Sequence, residues 1–331
     1  MTKSATNSAL SLAALGAALA MLHAAPAMAV TFNKTYVSGT GSDANNCSSV
    51  ALACATFATA LVSTAPGGEI TVVNTGDYGA VTIGKSVNIT NDGAGEASIF
   101  AGVGGSGITI NAGVGDIVSL RGLVIDGQGV GLRGIQIDAV SAVHIQNCVV
   151  RSFEGGVGGP FGIVFTPAGS AQLFISDSII YNNGSTAGTG GIWIVPTGSG
   201  SANAVLDRVH LENNVFGIQV NGTGDTGNGA HVVIRDSVVS GNASDGIFAF
   251  TLPGKAPAFI VVEHTTSVNN AGNGMVAFGP HAIILLDGNV VSRNGVGISA
   301  VSGGQLISYG NNKVNNNLGP DGVPTGSYSP I

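Results

Sequence analysis

Charged residues are scarce in this chain of 331 residues, because Asp, Glu, Lys and Arg together make up 9% of it. There are 11 Lys and Arg against 18 Asp and Glu, which gives a formal net charge of −7 at pH 7. A nucleic-acid-binding protein needs a basic face for phosphates, so this composition argues against that class. It also argues mildly against steering an acidic sugar polymer, although a local basic patch can override net charge.

Long apolar stretches are also rare, and the best example is the segment 9–22. It is short for a membrane span and no second candidate follows it, which argues against a membrane protein. With Lys3 before it and the small residues Ala27 and Ala29 after it, the segment matches a secretory signal. We therefore predict cleavage after Ala29 and a secreted or periplasmic mature chain. Removing Lys3 leaves 10 basic residues against 18 acidic ones, a formal charge of −8.

Cysteine is scarce, since the chain has only Cys47, Cys54 and Cys148. Two thiols cannot form a tetrahedral zinc site alone, and the histidines occur singly, so we predict no metal site from these residues. In an exported protein, neighbouring cysteines favour a local disulfide, which we predict between Cys47 and Cys54. Cys148 lies in the apolar run 148–150 and is predicted to be a buried, inert thiol.

Helical periodicity is missing from most of the chain. The apolar runs are mostly three to five residues long, rich in β-branched side chains and bounded by Gly or Asn. Strong helix formers such as Glu, Lys and Arg are few. These features exclude helical repeat arrays such as ankyrin and tetratricopeptide proteins, whose units need longer segments with helical periodicity.

What the chain does have is a repeat, marked by Gly followed by an aliphatic residue every 23 to 29 residues. A period in this range indicates a solenoid. An Asn precedes most markers, and an apolar run begins ten residues before each Asn, so each unit holds about three short strands. Stacked rungs would place like residues in columns about 4.8 Å apart. The predicted internal column comprises Ile108, Ile135, Ile163, Ile192, Ile218, Ile247, Met275 and Ile298.

This pattern resembles the right-handed parallel β-helix family, the pectate-lyase-like superfamily. The usual motif of that family is Ile-x-Asn or Asp, then Ile or Val, then Asn, then Gly-Ile, and Ile175-Ser176-Asp177 and Ile234-Arg235-Asp236 match its first part. The resemblance covers roughly residues 69–317. It implies an all-β, single-stranded right-handed parallel β-helix of about nine or ten rungs, with three short strands per rung. Many unrelated activities use this scaffold, so the resemblance is specific for fold rather than function.

The segments outside the repeat have separate roles in this scheme. Residues 30–68 are predicted to form an N-terminal strand, a loop and a capping helix over 55–64, where Phe57 and Leu61 share one face. A cap is needed because the open end of a solenoid exposes unpaired backbone. The residues Pro66, Gly67 and Gly68 after it should prevent its continuation, and the first strand of the stack should begin at Ile70. We expect residues 318–331 to form a loose tail or a loop over the last rung.

A charged column supplies the catalytic candidates. Aligning the units places charged residues on successive rungs at one outward position and at the neighbouring corner, namely Asp207, Arg208, Arg235, Asp236, Glu263 and His264. Sugar lyases of the resembling family hold calcium with carboxylates and use Arg or Lys as the base, which implies Arg208 or Arg235 for that role and Ca²⁺ as the cofactor of a lyase. Without lyase activity we predict no cofactor. The alternative is that opposite charges on adjacent rungs, such as Asp207, Arg235 and Glu263, pair with one another.

An aromatic face supplies the binding candidates. Strand alternation turns one set of side chains outward on neighbouring rungs, namely Trp193, Gln219, Phe248, Phe250 and Phe278. Aromatic and amide side chains suit sugar rings, through stacking and hydroxyl hydrogen bonds. Our hypothesis is that a glycan would bind here and not on the charged column. The alternatives are a protein partner, or cover by the loop 251–257 or the C-terminal tail.

These observations predict an exported, monomeric β-helix protein that binds carbohydrate or serves a structural or interaction role, without assignable catalysis. The alternative is a polysaccharide lyase, or less favoured a glycoside hydrolase, acting on an acidic polysaccharide. The closely spaced Asp pair and Gly-His-Gly pattern expected of polygalacturonases are absent. The expected partner is a polysaccharide, with no nucleic acid and no membrane span in the mature chain.

Overall fold

A computed structural model describes residues 31–156 and 158–329 of the chain. The signal segment and its cleavage after Ala29 lie outside the described residues, so they stay a prediction. Within these two ranges, no helix is long and apolar enough to cross a membrane.

The described residues form a parallel β-solenoid with three sheets, and the chain visits them in the order A, B, C on each turn. Sheet A has twelve strands: Phe32–Val37, Thr64–Val72, Val87–Thr90, Ile117–Arg121, Ala142–Gln146, Ser170–Ser176, Ser201–Asp207, Gly229–Arg235, Ala258–Glu263, Ala282–Asp287, Gln305–Ser308 and Gly326–Ser327. Sheet B has ten: Gly76–Asp77, Ala97–Phe100, Leu123–Asp126, Val149–Arg151, Ile179–Tyr181, His210–Glu212, Val238–Ser240, Thr266–Val268, Val290–Ser292 and Lys313–Val314. Sheet C has nine: Val81–Ile83, Ser106–Asn111, Arg133–Ala139, Phe161–Phe165, Gly190–Ile194, Phe216–Asn221, Ile247–Phe250, Asn273–Phe278 and Val296–Val301.

The predicted internal column is confirmed, because its members pair in register along sheet C. Each of these side chains is at most 2% exposed. The residue before each of them is Gly for a steric reason. A Cβ on Gly246 would lie 2.7 Å from the carbonyl oxygen of Gly274 on the next rung, closer than real Cβ atoms approach. The repeated Gly-Ile pair thus combines a tight corner with a core residue.

The Asn that precedes most Gly-aliphatic pairs forms a buried ladder at the corner between sheets B and C. In Asn242, the amide nitrogen donates to Oδ1 of Asn270 at 2.7 Å and to the carbonyl of Leu211 at 3.2 Å. Its own Oδ1 accepts the backbone N–H of Asn214 at 3.0 Å. The same pattern continues on other rungs, with Asn183, Asn214, Asn242, Asn270 and Asn294 all buried. The ladder therefore satisfies polar backbone groups that the corner would otherwise bury unpaired.

A helix over Phe57–Ser63 caps the N-terminal end, as predicted, and a short 3₁₀ helix over Val50–Leu52 precedes it. The Thr56 side chain accepts the backbone N–H of Thr59, and Phe57 and Leu61 are buried. The helix ends within one residue of the predicted end at Thr64, but the predicted start of the first strand of the stack was wrong. The chain enters sheet A at Thr64 rather than at Ile70, because Thr64 already pairs with Phe32 of the first strand.

The predicted disulfide between Cys47 and Cys54 is confirmed. Its loop lies along the outer edge of the first strand, where Tyr36 donates to the carbonyl of Cys47 at 2.9 Å and accepts from the N–H of Cys54 at 3.0 Å. An unpaired strand edge is a site for unwanted pairing. The disulfide loop therefore covers part of the edge at which the stack begins.

The C-terminal segment folds over the last rung, which was one of the two predicted alternatives. The N–H groups of Gly297 and Ile298 donate to the carbonyls of Pro320 and Asp321, each at 2.9 Å. On sheet A, the N–H of Leu306 donates to the hydroxyl of Thr325 at 2.9 Å. The segment thus pairs backbone groups of the final rung while leaving most of its own side chains exposed.

Cys148 is a free, buried thiol, and burial raises its pKa to about 11. Because the thiolate is the reactive form, we expect N-ethylmaleimide at pH 7.5 to leave Cys148 unlabelled in the folded protein. After unfolding in guanidinium, mass spectrometry should find the same residue labelled. Labelling of the native protein at the rate of a free peptide thiol would contradict this burial.

Candidate functional site

The outward face of sheet A carries three parallel columns of side chains. Strand alternation sends every second residue outward, and the in-register parallel pairing stacks these residues along the solenoid axis. The central column comprises Asn88, Ser119, His144, Phe174, Val205, Val233, Val261, Leu285 and Ile307. On one side of it lies the amide column of Gln172, Asn203, His231 and Phe259. On the other side lies the charged column of Arg121, Gln146, Ser176, Asp207, Arg235, Glu263 and Asp287.

An apolar depression of about 290 Å³ lies on the middle of this face. Its lining combines the aliphatic part of the central column, including Val205 and Val233, with Phe174 and Phe259. Asn203 and His231 contribute polar groups from the amide column. An apolar surface bordered by a few hydrogen-bonding groups is the usual composition of a ligand site.

A polar depression of about 440 Å³ lies on the same face nearer the N-terminal end. Its lining is mostly polar and comprises Glu69, Asn88, Thr90, Ser119, Leu120, Arg121, His144 and Gln146. Most of its residues belong to the central and charged columns, on rungs closer to the N-terminus than those of the apolar depression. The two depressions therefore lie in line along the solenoid axis.

A pair of stacked rings separates the two depressions. The rings of His144 and Phe174 lie 4.8 Å apart at 10° between their planes, and each ring lines a different depression. On later rungs the His231 ring tilts against Phe259 at 5.8 Å. Sequence reasoning treated these histidines as isolated residues. His144 lies two residues before the charged column and His231 lies four residues before it, and strand alternation places both spacings on the same face, which is the signal that could have found them.

The charged column has the predicted register, but its ion pairs differ in part from the expected ones. Arg235 Nε donates to Asp207 Oδ1 at 2.9 Å, as anticipated. Arg208 instead binds Asp177 at 2.7 Å and also contacts Asp207. The predicted pairing of Glu263 with Arg235 is absent from the ion pairs of the described residues. Of the three residues expected to pair, Asp207 and Arg235 form an ion pair and Glu263 does not.

The corner beside this column turns through left-handed backbone, with φ of 53° at Arg208, 49° at Asp236 and 45° at His264. The hydrogen bond with Asp177 raises the pKa of Arg208 above its ordinary value. A guanidinium held protonated in this way is a poor proton acceptor. None of the six catalytic candidates lines either depression, so their catalytic role stays a prediction.

The described residues contain no group of three or more His, Cys, Asp or Glu side chains arranged to hold a metal ion. The carboxylates that the family resemblance implies as calcium ligands lie on successive rungs along the solenoid axis, namely Asp177, Asp207, Asp236, Glu263 and Asp287. Asp177 and Asp207 already accept hydrogen bonds from arginines. The arrangement of these side chains does not fit a calcium site.

The aromatic residues on sheet C point outward and pack mainly on one another. Phe250 lies between Phe248 and Phe278, with ring centroids 5.6 and 5.5 Å apart. Trp193 stacks on Phe161 at 5.3 Å. All of these rings except Phe161 are half-buried, and Phe161 is buried.

Polar groups on this aromatic face are withdrawn from solvent. Gln219 is only 8% exposed. The Nε1 atom of Trp193 is buried and has no hydrogen-bond partner among the residues that the structure describes. Neither group is placed to meet the hydroxyls of a glycan, and glycan binding at Trp193, Gln219, Phe248, Phe250 and Phe278 stays a prediction.

Three parallel sheets with in-register columns define this chain as a parallel β-helix repeat protein. The family model described as "Right handed beta helix region" matches residues 133–318. This stretch is more than half of the chain, so the chain belongs to that family.

Solved structures of polysaccharide lyases share the fold. Pectate lyase Pel9A is 14% identical with a TM-score of 0.57, over 87% of this chain and 80% of its own. The alginate lyase from Paenibacillus sp. str. FPU-7 is 17% identical with a TM-score of 0.56, over 89% and 98% respectively. At these identities the likeness concerns the fold alone. No curated protein matches the sequence.

Proposed function

We propose that this protein is exported and binds a linear polysaccharide along the outward face of sheet A. The observation that carries the proposal is the pair of open depressions, about 290 and 440 Å³, that lie in line on one rigid sheet. A polymer has several repeating units to place, and aligned depressions on a repeating scaffold offer a separate contact to each. Because the rungs are rigid, little conformational entropy of the protein is lost on binding.

The chemistry of the face suits sugar rings. A ring has an apolar side formed by its C–H groups and an edge of hydroxyls. The half-buried Val205 and Val233 with the Phe174 ring would contact the apolar side. The exposed Asn203 and His231 beside them would hydrogen-bond the hydroxyls.

Export is supported by the disulfide between Cys47 and Cys54, because such bonds persist mainly in oxidising compartments.

Binding is favoured over lyase activity, because the six candidate catalytic residues lie outside both depressions. In addition, Arg208, one of the two candidate bases, is held protonated by Asp177.

Phe174→Ala should weaken binding to a polysaccharide about tenfold or more, which corresponds to about 1.4 kcal/mol. The change removes the ring that lines the apolar depression and supports His144. The measurement is the retardation of the purified protein in native gels containing a panel of neutral and acidic polysaccharides, followed by calorimetric titration with the best binder. Thermal unfolding of each variant would show whether the fold is retained.

Phe100→Ala is the matched control, because Phe100 is an exposed ring on sheet B and its loss should leave binding unchanged. Trp193→Ala tests the aromatic face of sheet C in the same assay. If Trp193→Ala weakens binding and Phe174→Ala does not, the site lies on sheet C. If the wild-type protein binds no polymer of the panel, the proposed function is wrong.

A further inference from the structure

We infer that the outward face of sheet A, with its two depressions, selects a neutral polysaccharide and rejects acidic ones, with Glu263 and Asp287 as the specificity-determining residues. This inference rests on the proposed function and adds the class of ligand to it. It depends on the charges beside the two depressions, and it argues against a lyase that acts on an acidic polysaccharide.

The cations of this face are already engaged by carboxylates of the chain. Lys34 binds Glu69 at 3.0 Å and Arg121 binds Asp92 at 2.8 Å, at the polar depression. Arg235 binds Asp207 at 2.9 Å, beside the apolar depression. At the corner next to it, Arg208 binds Asp177 and Asp207.

Recognition of an acidic sugar needs a cation that can turn to the ligand carboxylate. On this face each cation would first have to leave its own carboxylate, which would then stand unpaired next to the incoming anion. The exchange replaces one ion pair by another and adds a like-charge repulsion, so it supplies little net attraction. An acidic polymer therefore has no free partner among the cations of the described face.

The carboxylates of the same face are not all engaged. Within the described part of the chain, neither Glu263 nor Asp287 takes part in an ion pair. Asp287 accepts a hydrogen bond from the neutral side chain of Asn311 at 2.6 Å. These two carboxylates occupy adjacent rungs of the charged column and present two negative charges that no ion pair among the described residues neutralises.

The strand register places Glu263 within reach of a polymer bound in the apolar depression, and Asp287 lies beside Glu263 on the next rung. Glu263 follows Val261 by two residues on the same strand, and Val261 lines the apolar depression. Two residues of strand span about 6.6 Å, which is shorter than the Debye length of about 8 Å at physiological ionic strength. A polymer that carries one carboxylate per sugar would feel this repulsion, whereas a neutral polymer would meet only hydrogen-bond acceptors.

The test compares neutral polymers, such as glucomannan, xyloglucan and mixed-linkage β-glucan, with polygalacturonate and alginate. We expect the mature protein to bind at least one neutral polymer with an affinity that changes less than about twofold between about 20 and about 300 mM NaCl, a range over which the Debye length falls from about 20 Å to about 6 Å. Acidic polymers should bind about tenfold more weakly or not at all at low salt.

The variant Glu263→Gln combined with Asp287→Asn removes both charges and keeps the shape of each side chain. It should strengthen binding to acidic polymers about threefold or more at low salt, and leave binding to the neutral polymer unchanged. The matched control, Asp77→Asn with Glu154→Gln, removes the same charge from exposed positions away from sheet A and should change neither affinity.

The outcomes separate the two proposals. Preferential binding of an acidic polymer to the wild-type protein would overturn the inference while leaving polysaccharide binding intact. An equal gain in both double variants would also overturn it, because net charge rather than Glu263 and Asp287 would then set the preference. Failure to bind any polymer would overturn the proposed function itself, and the inference with it.

Discussion

Ile218→Asp is expected to destabilise the solenoid by about 4 kcal/mol or more, a large share of the 5–15 kcal/mol that stabilises a typical domain. Ile218 is 0% exposed and stacks between Ile192 and Ile247 in the core column. The substitution removes that packing and buries a carboxylate with no cation inside the coil. The loss affects the rungs on both sides, because each rung of a solenoid is stabilised by its neighbours.

The measurement is denaturant unfolding followed by circular dichroism, with limited proteolysis as a second probe. Ile179→Asp makes the same substitution at a strand position that is 39% exposed, on sheet B. Its cost should stay below about 1 kcal/mol, because the new carboxylate remains in water. Equal destabilisation by the two variants would contradict the assignment of the Ile218 column to the core.

Asn242→Ala should cost about 3 kcal/mol, a large effect for the loss of one polar side chain. The change removes three hydrogen bonds of the buried ladder. It also leaves the N–H of Asn214 and the carbonyl of Leu211 without their side-chain partner in a site closed to water. Each buried polar group that loses its partner lowers the free energy of unfolding by about 1–3 kcal/mol, and this accounts for the expected loss of about 3 kcal/mol.

Asn228→Ala is the comparison for this substitution, since Asn228 is exposed and its loss should cost less than about 0.5 kcal/mol. Thermal and denaturant unfolding of both variants would give the difference directly. If Asn242→Ala proves as mild as Asn228→Ala, water enters the corner and replaces the missing amide, and the ladder is not a stabilising element.

The fold could be predicted because the repeat carries two independent signals at every rung. The Gly-aliphatic pair marks the corner and the core column, and the apolar run before each Asn marks the strand of sheet A. A shift of one residue would turn a whole strand inside out, so the alternation leaves one register only. The column from Ile108 to Ile298 and the charged column from Arg121 to Asp287 therefore follow from the spacing of residues along the chain.

The N-terminal region shows where this reasoning reaches its limit. Phe57 and Leu61 identify the capping helix, but its end at Ser63 depends on the pairing of Thr64 with Phe32, which are far apart in sequence. The sequence shows the Asn residues only as boundaries of the apolar runs. Their role as a hydrogen-bonded ladder depends on amides that are neighbours only once the rungs have stacked.

For the candidate site too, one part follows from the sequence and another part only from the tertiary structure. The outward direction of Phe174, His144 and Phe248 follows from strand alternation, which is a local property of the chain. Whether an outward side chain is available to a ligand depends on what other parts of the chain pack beside it. On sheet C that packing buries the indole nitrogen of Trp193, whereas on sheet A it leaves two depressions open. Periodicity along the chain thus accounts for the scaffold and its columns, but exposure and ion pairing arise from contacts between distant residues and are decided only when the coil has closed.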